Sequence, residues 1–462
     1  MSHAQRPRLS IGIVGAGLGG LLLALFLQRE APDLQVDIYE SASELTELGV
    51  GIGLWPRSWE IIRELSLEDE LRRISGATDG AVLPIHYRKA DEPQQIEFYN
   101  LKPSLFTFHR SVLQRLLARH IRPSSRIRFH FSKRLVRYVE PSAPPSPSGA
   151  ATPITLQFND GTTARCDLLI GSDGIRSAVR RTMYTTCAVE AAVRGRDVEA
   201  TTLRSMVDPV WSGQVAYRGI ADGATVAQKG FKDVDTPLIL MGKDKHIVSY
   251  PISRGEKVNV VAFVNFPGKV GTAYQGPWVA KATGKEVAAH YAAWDPSVPT
   301  LCRHLEDPLC WAVHTVRKLP TFVRGRVALI GDAAHAMTPH QGAGAGAALD
   351  DGYILAALLA APRVDVHTLP HALAVYDAVR RPFAQDVHAR SDANGRLYQL
   401  GAPGWEGVSA ARSAAGGFPR EKLVEVGKKV EEGLAWSLTG AGVAEERARA
   451  VRMLEERLRR GG

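Results

Sequence analysis

The sequence predicts an α/β chain with three parts: a three-layer lobe on a parallel sheet, an inserted lobe of mostly antiparallel sheet, and a run of C-terminal helices. Three observations predict this. Short apolar runs rich in β-branched residues recur early, midway and late in the chain, as fully buried parallel strands do. Each of the runs ends in a turn rich in glycine or aspartate. Between them, from about Met206 to Phe266, the pattern changes to alternating segments separated by turns, which marks antiparallel strands.

The elements follow in order. Leu9 to Val14 reads as a buried strand. Gly15-Ala16-Gly17-Leu18-Gly19-Gly20 follows as a turn, and Leu21 to Arg29 as a helix. Gln35 to Tyr39 is a second strand, ending at Glu40. Arg110 to His120 is helical in pattern. Pro141 to Gly149 is proline-rich and polar, hence a surface loop. Asp160-Gly161 between apolar flanks signals a hairpin. Cys166 to Gly171 and Arg326 to Ile330 read as buried strands. Segments 213–220, 246–252 and 258–264 form the inserted sheet. Gly342 to Leu359 opens with glycine and alanine and continues as a helix. Arg194 to Thr202 is polar and charged, a mobile insertion. Glu421 to Arg460 is charged with a helical period, which predicts solvated helices.

Composition excludes whole classes. With 45% hydrophobic and 23% charged residues, the chain is neither disordered nor fibrous. Four scattered cysteines form no disulfide framework and predict reduced thiols in a cytoplasmic protein. The longest strongly apolar run, Leu18 to Leu27, falls short of the roughly 20 residues a membrane span needs. The net charge of +9 is compatible with nucleic acid, a membrane surface or anionic small molecules. No helix-turn-helix, zinc spacing or RNA-binding aromatic motif accompanies it, so neither nucleic acid nor a metal is expected.

Three motifs carry the chemistry. Gly15, Gly17 and Gly20 have the G-x-G-x-x-G spacing of a Rossmann-like lobe. The first allows a tight turn, the second admits a pyrophosphate to the backbone, and the third lets helix and strand pack closely. The helix N-terminus offers free N–H groups to that phosphate. Glu40, about 20 residues after Gly20, suits a ribose without a 2′-phosphate, hence FAD or NAD rather than NADP at this turn. The second motif runs from Asp167 to Arg180 and contains Asp173-Gly174. The third is Gly331-Asp332-Ala333-Ala334-His335, followed by Pro339-His340-Gln341-Gly342-Ala343-Gly344-Ala345-Gly346. An aspartate at a strand end can bond a polyol, and a glycine-rich helix entry can hold a polar ligand edge.

In this order, the three motifs resemble the single-component FAD-dependent aromatic hydroxylases, the group A flavoprotein monooxygenases, over about Ser10 to Tyr398. The runs Gly331 to Gly346, Ala216-Tyr217-Arg218-Gly219 and His246 to Pro251 are similar to the salicylate hydroxylases and their fungal relatives. The resemblance implies FAD as cofactor and NADH or NADPH as transient co-substrate. It further implies O2 and a phenolic, salicylate-like ring, hydroxylated through a flavin hydroperoxide with or without oxidative decarboxylation. It places Gly15, Gly17, Gly20 and Glu40 on the ADP half of FAD, and Arg110 on the FAD side. Asp173 and Gly174 would touch FAD and the nicotinamide donor. Asp332 would bond the ribityl chain, and Gly342, Ala343 and Gly344 would line the ring system. His340 and Tyr217 are the candidate catalytic or substrate-contacting residues. His335 would pack near the pyrophosphate. By strand alternation Arg218 faces away from Tyr217. Trp55 stands where many relatives have a smaller residue.

The implied FAD-binding lobe takes residues 8–80, 102–182 and 301–400. The substrate lobe takes 81–101 and 183–300, and a helical extension takes 401–462, outside the resemblance. The expected assembly is a monomer or homodimer. Two other readings remain open at this point: the same chemistry on a secondary metabolite, as hydroxylase or epoxidase, and a flavin-binding sensor without turnover.

Overall fold

The computed structural model describes residues 7–45, 51–75, 84–102, 105–123, 125–141, 152–252, 255–402, 404–438 and 442–460. The proline-rich loop expected at 141–149 lies outside them, apart from its first residue.

The first buried run forms the strand Ser10–Val14, inside a six-stranded sheet. Gln35–Tyr39 and Leu168–Gly171 flank it in parallel. Ile127–His130 and Val327–Leu329 extend the sheet in parallel on either side, and Val323–Arg324 closes one edge antiparallel. The register fixes the site. Val14 lies opposite both Tyr39 and Gly171, and Gly171 lies opposite Leu329. Four strands therefore end at one level, where Gly15, Glu40, Ser172 and Ile330 leave the sheet. Ligands of open parallel sheets bind in the crevice beyond such carboxyl ends.

The helices Leu18–Glu30 and Gly344–Ala360 pack directly on one another and are buried almost all round. Glycines permit this approach. A Cβ on Gly19 would sit 2.9 Å from the Ala348 carbonyl, and one on Gly352 would sit 2.8 Å from the Gly19 carbonyl.

The Asp160-Gly161 turn joins Ile154–Phe158 to Thr163–Cys166 as the expected hairpin. Cys166 closes that hairpin, and the parallel strand starts two residues later at Leu168. Asp167 separates the two strands, and its carboxylate accepts bonds from Ser10 N at 2.9 Å and Ser10 Oγ at 2.7 Å.

The second sheet has eight strands: Val279–Lys281, Leu305–Thr315, Val210–Asp222, Lys257–Asn265, Lys245–Ile252, Leu238–Gly242, Ile85–Lys89 and Ile96–Leu101, in spatial order. All neighbours are antiparallel except Leu238–Gly242 with Ile85–Lys89. Leu305–Thr315 belongs here although the sequence boundary stood at 300. The strand carries Pro308 in its interior. The ladder tolerates the proline because the register shifts between Arg218 and Ile220, opposite it.

Two other expectations fail. The segment 194–202 is not a mobile insertion. It carries the helix Asp197–Arg204, packed on the helix Ala178–Val193, and Asp197 and Glu199 favour its N-terminal turn. Nor is the charged tail a pair of solvated helices. Arg420–Leu438 buries Leu423, Val426, Val430 and Leu434 among Tyr87, Phe98, Leu397 and Tyr398. Gly442–Arg460 buries Val443, Ala450, Leu454 and Leu458 in the core of the parallel-sheet lobe. The charge count hid a one-sided apolar stripe at helical spacing.

Candidate active site

At the first motif, Gly15 takes a φ of +99°, and its N–H donates to the Tyr39 carbonyl at 2.8 Å. A side chain there would run into the Ser172 carbonyl, and a Cβ on Gly20 would sit 2.6 Å from the Gly15 carbonyl. Gly17 differs. A Cβ on it would meet only Arg110 Nη2 at 3.7 Å and the Ser172 carbonyl at 3.8 Å. This glycine keeps space open instead of filling a tight fit. Gly17 caps the helix Leu18–Glu30 without any side-chain bond, and no acidic residue stands in the first turn. The helix end thus presents backbone N–H groups under the Arg110 guanidinium, a cradle for a diphosphate. Glu40 Oε2 accepts from Ala16 N at 2.9 Å and Oε1 from Ala42 N at 2.8 Å, which fixes the carboxylate beside the turn.

The second and third motifs meet through the last residue of the second motif, Arg180. Arg180, almost fully buried, donates to the Ile175 carbonyl at 2.5 Å and the Ala333 carbonyl at 2.9 Å, joining the two loops. Asp173 Oδ2 accepts from Ala178 N at 2.7 Å and Val179 N at 3.2 Å, whereas Oδ1 is buried without a partner among the described residues. Burial pushes the Asp173 carboxyl upward. Gly174 takes a φ of +73° with open space beside it.

Asp332 is exposed at the start of the short helix Asp332–His335. A Cβ on Gly344 would lie 4.0 Å from its Oδ1. Asp332 therefore faces the entry of the helix Gly344–Ala360. The loop is held from behind. Asp351 Oδ2 accepts from Gly331 N at 2.8 Å and contacts His335 Nε2 at 2.6 Å, and its Oδ1 accepts from Arg380 Nε at 2.9 Å. Burial opposes the Asp351 charge, yet His335 and Arg380 hold its carboxyl below the usual range. His335 is thus the buried partner of Asp351 and helps to order the loop.

His340 lies in the 3-10 turn Pro339–Gln341, 5% exposed. Its ring is 5.1 Å from His246 and 5.0 Å from Phe263, and it packs against Gly395. Neither ring nitrogen has a partner among the described residues, and the same holds for His246 Nε2 and Thr338 Oγ1. Buried polar atoms left unpaired in one place point to a bound ligand or water. Burial pushes His340 down to about 4, against an opposing pull from Asp392. At neutral pH the ring is an uncharged proton acceptor. After it, Gly342 takes the left-handed φ of +61°, and buried Ala343 caps the helix Gly344–Ala360.

Tyr217 is not with His340. Its hydroxyl donates to Glu286 Oε1 at 3.2 Å and lies 3.1 Å from His290 Nε2, on the face covered by the helices Gly284–His290 and Ser297–Arg303. The sheet register shows the reason. Ala216 is opposite Phe263, which is opposite His246, and Arg218 is opposite Val261, which is opposite Val248. Directly paired residues share a face. His246, Phe263 and Arg218 therefore face the parallel-sheet lobe, and Tyr217 faces away. Alternation along a strand had separated Tyr217 from Arg218 correctly, but a single strand cannot say which parity points inward. The missed residues are Arg218 and His246. Arg218 is half-buried on this face with no acidic partner among the described residues. Tyr250, on the same face, abuts Gly51 of the strand Gly51–Leu54. Trp55 is also placed: its Nε1 donates to the Gln341 carbonyl at 2.8 Å, so it braces the His340 turn.

The family model described as FAD binding domain matches residues 8–391. The chain belongs to this FAD-binding family. A salicylate hydroxylase of Pseudomonas putida is 33% identical over 411 residues, covering 87% of this chain and 88% of the relative. An FAD-dependent monooxygenase of Strobilurus tenacellus is 30% identical over 484 aligned residues, covering 98% of this chain and 99% of its own. A solved salicylate hydroxylase–substrate complex matches with a TM-score of 0.77 and 28% identity over 97% of this chain and 98% of that one. The likeness therefore includes the C-terminal helices that the motifs alone had left out.

This flavoprotein is an FAD-dependent monooxygenase of the salicylate hydroxylase type. The residues fit FAD: an uncapped helix end beneath Arg110, a glycine turn closed at Gly15 and Gly20 but open at Gly17, and a buried unpaired oxygen on Asp173. No described helix is long and apolar enough to cross a membrane.

Proposed function

We propose that this flavoprotein hydroxylates a phenolic ring carrying a carboxylate, a salicylate-like substrate, with NADH or NADPH as electron donor and O2 as oxidant. One observation carries the reading: a buried, uncharged imidazole without hydrogen bonds, His340, shares its side of the sheet with an arginine, Arg218, that has no acidic partner among the described residues. His340 accepts a hydrogen bond from the phenol hydroxyl, which makes the ring more electron-rich at the moment of oxygen transfer. Arg218 pairs with the carboxylate and sets the ring's orientation. Tyr250, Phe263 and His246 wall the site and exclude water.

Gly15, Gly17, Gly20, Glu40 and Arg110 hold the ADP half of FAD. Asp173, Gly174, Asp332, Gly342, Ala343 and Gly344 hold the rest. When bound, FAD supplies the redox and oxygen chemistry. The two lobes are interleaved, with the eight-stranded sheet as the substrate lobe. A cytoplasmic setting, as monomer or homodimer, belongs to the same reading, as does loss of the ring carboxylate when the hydroxyl enters at its carbon.

The test is NADH and NADPH oxidation against salicylate, phenol, benzoate and larger phenols, with product identification. Salicylate should stimulate oxidation and yield a ring product. Arg218→Ala should raise the salicylate KM by roughly 10- to 100-fold and leave that of phenol unchanged, as loss of a charge-assisted bond predicts. Peroxide as the sole product with every phenolic acid would sink this reading in favour of a larger secondary metabolite.

A further inference from the structure

We propose that the C-terminal helix Arg420–Leu438 positions the reaction site by clamping Gln341, the neighbour of His340. The idea rests on the role of His340 given above. His340 has no hydrogen bond on either ring nitrogen among the described residues, so only packing and its own backbone can aim it. Both depend on this helix.

The backbone is held through Gln341, itself only 3% exposed. Both ends of its side-chain amide bond to one helix: Nε2 donates to the Gly433 carbonyl at 2.9 Å, and Oε1 accepts from Trp436 Nε1 at 3.0 Å. Its main-chain carbonyl accepts from Trp55 Nε1. Two indoles and one backbone carbonyl therefore fix the residue between His340 and the left-handed Gly342. The packing is held through the long helix Leu369–Tyr398. Gly395 of that helix is the surface on which the His340 ring rests. Asn394, next to it, donates to the Val430 carbonyl at 3.3 Å and fills the space that a side chain on Gly433 would need. The same two helical turns, Val430 to Trp436, thus support the His340 backbone from one side and its ring from another.

An appended helix that only covered apolar surface would need none of these bonds. Gln341, Trp436 and Asn394 act through His340 and touch no substrate, so they are positioning residues.

The experiment measures carbethoxylation of individual histidines by diethylpyrocarbonate, read by mass spectrometry on the FAD-loaded protein. Trp436→Phe keeps the ring and removes the donor, and Gln341→Met keeps the length and removes both amide bonds. Trp436→Phe should raise the labelling rate of His340 by about fivefold, the effect of losing one hydrogen bond on a local opening equilibrium, and Gln341→Met, which loses two, should raise it further. His335, held by Asp351, should label at the wild-type rate, and flavin content should not change. In turnover, kcat should fall and peroxide release should rise, with the KM for the electron donor unchanged. Unchanged His340 labelling in both variants overturns the proposal. A parallel rise at His340 and His335 also overturns it, because that reports general loosening. The labelling result stands even if no phenol in the panel is turned over, so failure of the functional reading and failure of the clamp are told apart.

Discussion

The turn at Gly15–Gly20 and the loop at Gly331–Gly346 frame the same proposed FAD site but are held by different means. The turn is local. Its shape follows from a positive φ at Gly15, a close approach at Gly20 and an uncapped helix that begins at once. The loop is held from elsewhere: by Asp351 behind Gly331, Arg180 at Ala333, Trp55 at Gln341 and Trp436 on the last third of the chain. A locally built element fails when its own residues change. A remotely built one fails when residues that touch no ligand change.

The sharpest test of that contrast is Asp351→Ala. It removes an acceptor shared by Gly331 N and His335 and leaves Arg380 with less compensation for its buried charge. Removing one partner of a buried ionic group costs about 3–5 kcal/mol. Chemical denaturation should show a loss of that size, with weaker FAD retention, although Asp351 lies behind the loop. Full stability and flavin content would mean that the loop is as self-contained as the turn.

Gly15→Ala tests the other side. The new Cβ meets the Ser172 carbonyl in a backbone conformation that L-residues avoid, so an effect of about 3 kcal/mol is expected from strain alone. The purified variant should be pale, with its flavin lost on gel filtration. A normal flavin spectrum would show that the turn has freedom its geometry denies.

The same contrast explains what could be read from the sequence. Gly15, Gly17, Gly20 and Glu40 were legible because strand, turn, helix and acid lie within one local unit, and the register of the parallel sheet then brought them together. Asp332 and Gly342 to Gly344 were legible for the same reason. Asp351 and Trp436 were not, and neither was the bonding role of Arg180 at the end of its motif, because their purpose appears only when segments distant in sequence meet. The charges of the tail hid helices whose apolar stripe was present all along.

His340 offers a smaller effect with a defined sign. Its imidazole is pushed down to about 4 in the folded chain, against an ordinary value near 6.5. Between those values the unfolded chain binds a proton that the folded chain refuses, so stability falls as pH drops from 6.5 towards 4. From pH 7 to pH 5 this one ring accounts for about 2 kcal/mol of lost stability. His340→Gln should flatten the measured loss by at least that amount. His246 beside it is also held low, by burial and by the neighbouring His340, so the variant relieves part of that shift as well and the flattening includes this share. An identical pH slope in the variant would mean that the folded ring takes up its proton as readily as the unfolded one.

The smallest expected effect concerns the two faces of the eight-stranded sheet. Tyr217 and Arg218 are neighbours in sequence, but only Arg218 lies on the face with His246 and Phe263. Tyr217→Phe removes the hydroxyl that bonds Glu286 and lies beside His290 on the helix-covered face. That bond is partly exposed to solvent, so its loss should lower stability by about 1 kcal/mol. The KM for the aromatic substrate and the ratio of product to peroxide should stay at wild-type values, because the ring has no route through the sheet. If Tyr217→Phe instead raised the KM as Arg218→Ala is expected to, the substrate would have to sit against the helices Gly284–His290 and Ser297–Arg303. The unpaired nitrogens of His340 would then need another explanation. One substitution on each parity of a single strand therefore decides which side of the sheet is the working one.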